Sequence, residues 1–187
     1  PHGLYYAPDP SSQIACSIGG NVAENAGGVH CLKYGLTVHN VLGVRVLTSD
    51  GDVMEIGGAL YDNPGLDMLA LLCGSEGMLG IVTQVTVALL PEPEKKSVIL
   101  AGFKQVTDAG NAVASIIGAG IIPAGMEMMD KLAVQAAEQF AHAGYPLDAA
   151  AILIIELDGA EAELSAVTAQ VIDHLNASGA YQIDQAD

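Results

Sequence analysis

Tryptophan is absent from this sequence, and phenylalanine occurs only twice. Positive charge is also scarce: Lys and Arg together number six against 22 Asp and Glu, a formal net charge of −16, and Arg45 is the single arginine. The deficit is even along the chain, with ten acids and two bases in residues 1–94 and twelve acids and four bases in residues 95–187. Nucleic acid and anionic lipid are bound by basic patches, so an acidic surface of this kind excludes both as partners. An anionic substrate would need local positive groups or backbone dipoles to hold it. Cysteine is limited to Cys16, Cys31 and Cys73, too few and too irregular for a disulfide framework; small apolar residues in a reducing, cytoplasmic setting fit better. No apolar run approaches the ~20 residues of a membrane span; the stretch 149–155 is among the longest. No initiator Met or basic-then-apolar leader is visible, and the start at Pro1 and polar end at Asp187 create the expectation of a piece of a longer chain.

The chain does have the means to fold. It is 51% hydrophobic with a mean hydropathy of +0.40, which excludes disorder, and its 187 residues bound it to one or two domains. The run Pro91-Glu92-Pro93-Glu94-Lys95-Lys96 is the clearest boundary, because prolines two apart disfavour helix and cannot donate to a sheet ladder. Before it, strands are predicted at 42–48 and 53–56 around the hairpin signal Ser49-Asp50-Gly51-Asp52. A turn at Asn63-Pro64-Gly65, a helix at 66–73 ended by Gly74, and a strand at 81–90 follow. Beyond the boundary, strands at 97–103, 124–129 and 150–157 alternate with helices at 106–119, 132–143 and 160–177, and 181–184 begins another strand. That order predicts a sheet covered by helices, in an α+β chain.

Two glycine-rich clusters are the best candidates for chemistry. The first runs from Pro8-Asp9-Pro10-Ser11-Ser12 to Gly19-Gly20-Asn21-Val22-Ala23-Glu24-Asn25-Ala26-Gly27-Gly28. Glycines before a helical turn let backbone approach a ligand, and Asn25 offers both a donor and acceptors to a heterocycle edge. The second, Gly74-Ser75-Glu76-Gly77-Met78-Leu79-Gly80-Ile81, packs three glycines into a bend that could border a flat ligand. Glycine-rich turns between packed elements account for both clusters equally well. Neither is the dinucleotide fingerprint G-x-G-x-x-G or a P-loop, and Ser75 is not in a G-x-S-x-G elbow. His30 and Cys31 are adjacent, but no C-x-x-C or H-x-x-x-H spacing accompanies them, so no metal site is expected. His39 reads as a packed histidine, Gly118-Ala119-Gly120 as a helix end, and Met126, Met128 and Met129 as core filler.

Taken together, Pro8-Asp9-Pro10-Ser11-Ser12, Ile18 to Gly28, Lys33-Tyr34-Gly35 and Gly74 to Thr83 resemble the FAD-linked oxidases of the vanillyl-alcohol oxidase type. Within that family they are most similar to the branch of bacterial glycolate oxidase flavin subunits, with D-lactate and D-2-hydroxyglutarate dehydrogenases as relatives. Gly118 to Asp130 and Ala141 to Pro146 are similar to the cap domain of that branch. The resemblance implies residues 1–94 as the C-terminal part of a PCMH-type FAD-binding domain and residues 95–187 as the start of an α+β cap, or substrate, domain. It implies FAD as cofactor. Pro8, Asp9, Ser12 and Ile14 match the segment lining the flavin and its pyrophosphate arm; Gly19, Gly20, Asn25, Ala26 and Gly28 match the glycine-helix stretch; Glu76, Gly80 and Ile81 match the loop bordering the flavin. The implied reaction oxidises a small 2-hydroxy acid such as glycolate, with electrons leaving to partner subunits, a quinone or oxygen. A cytoplasmic location follows, at the inner membrane face where partner subunits hold it there. The family's upstream pyrophosphate loop and downstream histidine-rich segment have no counterpart here, so no catalytic residue is assigned, and the chain alone is expected to bind FAD weakly and to be inactive. A non-catalytic acidic interaction module is the alternative from another class.

Overall fold

The computed structural model describes residues 2–60 and 65–186. The chain divides into two compact units, Pro1–Glu92 and Pro93–Asp187. In the first, a short strand β1 (Leu4–Tyr5) is followed by helices α1 (Ile18–Glu24), α2 (Cys31–Tyr34) and α3 (Thr37–Asn40). Strands β2 (Val41–Leu47) and β3 (Val53–Gly57), helix α4 (Met68–Leu72), strand β4 (Ile81–Val87) and the two-residue β5 (Leu90–Pro91) complete it. An antiparallel sheet has the order β3-β2-β4, and β1 pairs with β5. The Asp-Gly turn behaves as its chemistry dictates: Gly51 takes φ 87°, Leu47 faces Val53, and the Thr48 N–H donates to the Asp52 carbonyl at 2.9 Å. One face of this sheet is apolar. Val41, Val44 and Val46 pack with Val22 of α1 and with Leu69, Leu72 and Cys73 at α4.

Two expected boundaries differ. The strand expected at 81–90 breaks at Val87, where the Ala88 N–H donates to the Asn40 carbonyl at 2.8 Å and the chain leaves β2 to pair with β1. Proline lacks an N–H, and the edge position of Pro91 tolerates that loss. The helix expected at 66–73 shortens to α4, because the Asp67 carboxylate accepts the Ala70 N–H at 2.9 Å and so caps the helix at Asp67. The turn expected at Asn63-Pro64-Gly65 lies at residues 63 and 64 outside the described residues.

The second unit holds β6 (Lys95–Phe103), α5 (Val106–Gly118), β7 (Gly125–Asp130), α6 (Lys131–Ala141), β8 (Ala151–Gly159), α7 (Glu161–Ala177) and β9 (Gln182–Ala186). Lys95 and Lys96, expected in the linker, already belong to β6: Lys96 lies opposite Asp158, and its ammonium meets Glu156 at 2.8 Å. The Glu94 carboxylate reaches across to accept the Glu161 N–H at 3.1 Å, which caps the start of α7. All neighbouring strands are antiparallel, in the order β7-β8-β6-β9. The strands joined through α5 (β6 and β7) and through α7 (β8 and β9) are each separated by another strand, a split β-α-β arrangement, whereas β7 and β8, joined through α6, are neighbours. Ile99, Ala101 and Phe103 of β6 and Leu153, Ile155 and Leu157 of β8 face Ala109, Ala112 and Ile116 of α5 and Leu164, Val171 and Leu175 of α7. The alternate residues Leu100, Ile152 and Ile154 turn to the other side, where Val134 of α6 joins them. The period of two along each strand thus separates two cores.

Gly110 lies on the exposed side of α5, and a Cβ added there would meet no atom within 4 Å, so Gly110→Ala is expected to stabilise the chain by about 0.5–1 kcal/mol in urea unfolding. Glu138 on α6 accepts the Tyr145 N–H at 3.0 Å, and backbone N–H groups of Tyr145, Gly144 and Ala143 hold its carboxyl below the usual carboxylate range. A lowered folded pKa contributes stability above the usual carboxylate range and loses it as pH falls through the lowered value. The Tyr145 amide resonance should therefore titrate in that acidic window, and in Glu138→Gln it should not.

Candidate functional site

The two glycine-rich clusters meet in the first unit. Helix α1 lies against the start of β4, and a Cβ added at Gly19 would stand 3.4 Å from the Val82 carbonyl oxygen. At the far end of α1, the bend before β4 folds back onto the helix: the Gly74 N–H donates to the Val22 carbonyl at 2.9 Å and the Glu76 N–H to the Ala23 carbonyl at 2.8 Å. The Val22 carbonyl thus takes a second donor beside the Asn25 N–H at 3.2 Å, and the Ala23 carbonyl near the helix end is satisfied by the second cluster. Glu76 adopts φ 53°, a left-handed conformation that turns this amide toward α1.

Each candidate residue has a definite place. Ser17, which sequence reasoning did not single out, caps α1 by accepting the Gly20 N–H on its hydroxyl at 3.0 Å; a serine ahead of a short helix is the signal that could have found it. Asn25 ends α1 in the left-handed region, φ 48°, and its side-chain carbonyl accepts the Val38 N–H at 2.9 Å. The Ala26 carbonyl accepts both the N–H and the hydroxyl of buried Thr37, at 3.0 and 2.7 Å. Gly28 is pressed against Asp9: a Cβ there would collide with the Asp9 carbonyl and carboxylate. Gly80, φ 147°, is pressed in the same way, with Val46 Cγ1 2.5 Å and the Leu47 carbonyl 2.8 Å from its Cβ position. What glycine permits at 28 and 80 is close packing of the protein on itself. Pro8 is buried, and the turn after it is closed by the Gln13 N–H on the Pro10 carbonyl and the Cys16 N–H on the Ser12 carbonyl, both 2.8 Å.

Apolar side chains on both clusters remain in solvent: Ile14 is 96% exposed, Met78 85%, Ile81 65% and Ile18 45%. Exposed apolar residues on glycine-rich backbone offer surface to a flat apolar ligand. No Lys or Arg stands among the twelve candidate residues, so an anion there would meet backbone N–H groups. A hollow of about 510 Å³ between β3 and α4, lined by Val41, Met54, Ile56, Leu66 and Leu69, contains none of the twelve. Burial raises the Tyr6 phenol and the Cys73 thiol above their ordinary values, which makes both poor proton donors and Cys73 a poor nucleophile. His30 Nδ1 and Asp9 Oδ2 are hydrogen-bonded at 2.5 Å, a pairing that no local signal announces because 21 residues separate the partners.

In the second unit, Lys104 pairs with Asp148 and stands 3.8 Å over the Tyr181 ring, whose hydroxyl donates to Asp148 at 2.8 Å. The Lys104 ammonium, helped by the Tyr181 hydroxyl, holds Asp148 below the usual carboxylate range. The Tyr181 ring also covers Gly102, where a Cβ would approach to 3.2 Å, so the cluster fastens the entry of β9 to β6. Among the described residues, no three His, Cys, Asp or Glu side chains could hold a metal ion, and no helix is long and apolar enough to cross a membrane.

Residues 1–57 match the FAD binding domain family, and residues 92–187 match the C-terminal domain of FAD linked oxidases. The glycolate oxidase subunit GlcD of Escherichia coli (strain K12) is 61% identical over 98% of this chain and 37% of its own length. A D-lactate dehydrogenase of Archaeoglobus fulgidus is 37% identical over 74% of this chain and 31% of its own length. The chain thus spans about a third of the length of these relatives. A solved alkyldihydroxyacetonephosphate synthase superposes with a TM-score of 0.80 at 21% identity, over 96% of this chain and 36% of that one, which shows a shared fold. Two family matches in order, on units that each form their own core, lead to one conclusion: the chain belongs to the FAD-linked oxidases.

Proposed function

We propose that the protein carrying this chain is an FAD-dependent 2-hydroxy-acid oxidoreductase that oxidises glycolate to glyoxylate and passes electrons to partner subunits. The 61% identity to a glycolate oxidase subunit supports the substrate class, and the docking of the second glycine cluster on α1 is the observation that carries the cofactor site. FAD suits these residues: exposed Ile14, Ile18, Met78 and Ile81 offer apolar surface to a flat ring system. When bound, FAD supplies the two-electron acceptor for the substrate α-hydrogen.

The chain's own residues position that cofactor. Pro8, Asp9, Ser12 and Ile14 line the flavin and its pyrophosphate arm in this reading; Gly19, Gly20, Asn25, Ala26 and Gly28 form the glycine-helix stretch; Glu76, Gly80 and Ile81 border the ring. Their rigidity follows from bonds already described: Ser17 caps α1, Thr37 holds Ala26, and Val38 holds Asn25. Residues 1–94 serve as part of the FAD-binding domain and residues 95–187 as part of the substrate, or cap, domain. No catalytic residue is assigned within the chain. Three free thiols, Cys16, Cys31 and Cys73, support a cytoplasmic location, with any membrane association supplied by partner subunits.

A second substrate, D-lactate, is favoured by the 37% identical D-lactate dehydrogenase. Anaerobic mixing of the intact flavoprotein with a panel of 2-hydroxy acids separates the two. Bleaching of the flavin absorbance by glycolate ahead of D-lactate is expected. Bleaching by D-lactate alone transfers the assignment, and purified intact protein that carries no flavin refutes both. The 187-residue chain by itself is expected to retain little flavin and to oxidise no glycolate.

A further inference from the structure

The Asp9–His30 contact is more buried than the exposed pairs elsewhere in the chain. Its side chains are 23% and 20% exposed, whereas the Arg45–Glu55, Lys95–Glu161, Lys96–Glu156 and Lys104–Asp148 pairs each contain a basic side chain that is at least 42% exposed. Asp9 is enclosed on three sides. His30 takes Oδ2 at 2.5 Å, Oδ1 is buried without a hydrogen-bond partner among the described residues, and Gly28 presses on its carbonyl and carboxylate. A polar group withdrawn from water needs a hydrogen-bond partner nearby. His30 supplies one to Oδ2 from the N-cap position of α2.

Asp9 lies immediately before the turn that Pro10 and Ser12 close, and that turn carries Ile14 into solvent. Moving Asp9 would therefore move the whole 8–14 segment away from Gly28 and the glycine-helix stretch. We infer that His30 is a positioning residue for the flavin nucleotide, acting through Asp9 to hold the 8–14 segment against Gly28. The inference rests on the FAD reading above and assigns His30 no contact with the flavin.

The test uses the intact flavoprotein, stripped of FAD and titrated with it, in three variants. His30→Leu removes the hydrogen-bond partner of Oδ2, His30→Gln keeps a hydrogen-bond donor, and Arg45→Gln breaks an exposed pair as a control. Losing a part-buried hydrogen bond of this kind is expected to weaken FAD binding about tenfold or more in His30→Leu. His30→Gln should recover most of that loss, and Arg45→Gln should bind FAD and turn over as the parent does. The flavin circular dichroism of His30→Leu should also change, and that of His30→Gln should return toward the parent's. The inference is overturned by parent-like FAD affinity in His30→Leu, by failure of His30→Gln to recover affinity, or by an apoprotein that is destabilised while the affinity of its folded fraction is unchanged. Parent protein that takes up no FAD instead overturns the functional reading on which the inference depends.

Discussion

The first unit depends on a short pair of backbone hydrogen bonds, from the Gly74 and Glu76 N–H groups to the Val22 and Ala23 carbonyls, which dock the bend before β4 onto the end of α1. The Ala23 carbonyl near the helix end and the amides of an irregular bend find their partners in this contact, while the Val22 carbonyl also accepts the Asn25 N–H. Because α1 also lies against β4, this docking fixes where the sheet presents its glycine-rich edge. The apolar core beneath, from Val22 through Val46 to Leu72, keeps the two stretches from separating. Residues far apart in the chain become one surface through that contact.

The second unit solves a different problem. Its central strands β6 and β8 are apolar on both faces, so each face needs its own cover. Helices α5 and α7 cover one side, and α6 covers part of the other. The polar residues fasten ends: Glu94 caps α7, Glu138 gathers the amides after α6, and Asp148 ties Lys104 to Tyr181. Much of the acidic excess is thus used in local pairings at the surface, where each contributes little to stability but helps fix a loop or a strand end.

The glycines separate two ideas that a sequence alone merges. At Gly28 and Gly80 the missing side chain makes room for Asp9, Val46 and Leu47, so those positions are explained by internal packing. At Gly77 a Cβ would meet nothing within 4 Å, and its φ of 74° alone accounts for glycine. A cofactor that touches this region would meet backbone that the protein has already arranged for its own cohesion, which is how a preorganised site avoids paying for order at the moment of binding.

Local chemistry in the sequence determined the hairpin at Gly51, the helices α5, α6 and α7 to within a residue or two at each end, and the family motifs in the two glycine clusters. These are short-range matters of turn geometry, apolar period and helix ends, so neighbouring residues suffice to dictate them. Tertiary structure alone decided the strand order β7-β8-β6-β9, the departure of β5 to pair with β1, and the enlistment of Lys95 and Lys96 into β6. It also decided that Asp9 would meet His30 and that Asn25 and Ala26 would be bound by Val38 and Thr37. Such pairings are chosen by which distant backbone and side-chain groups can be satisfied together once water is excluded, and no local propensity encodes them.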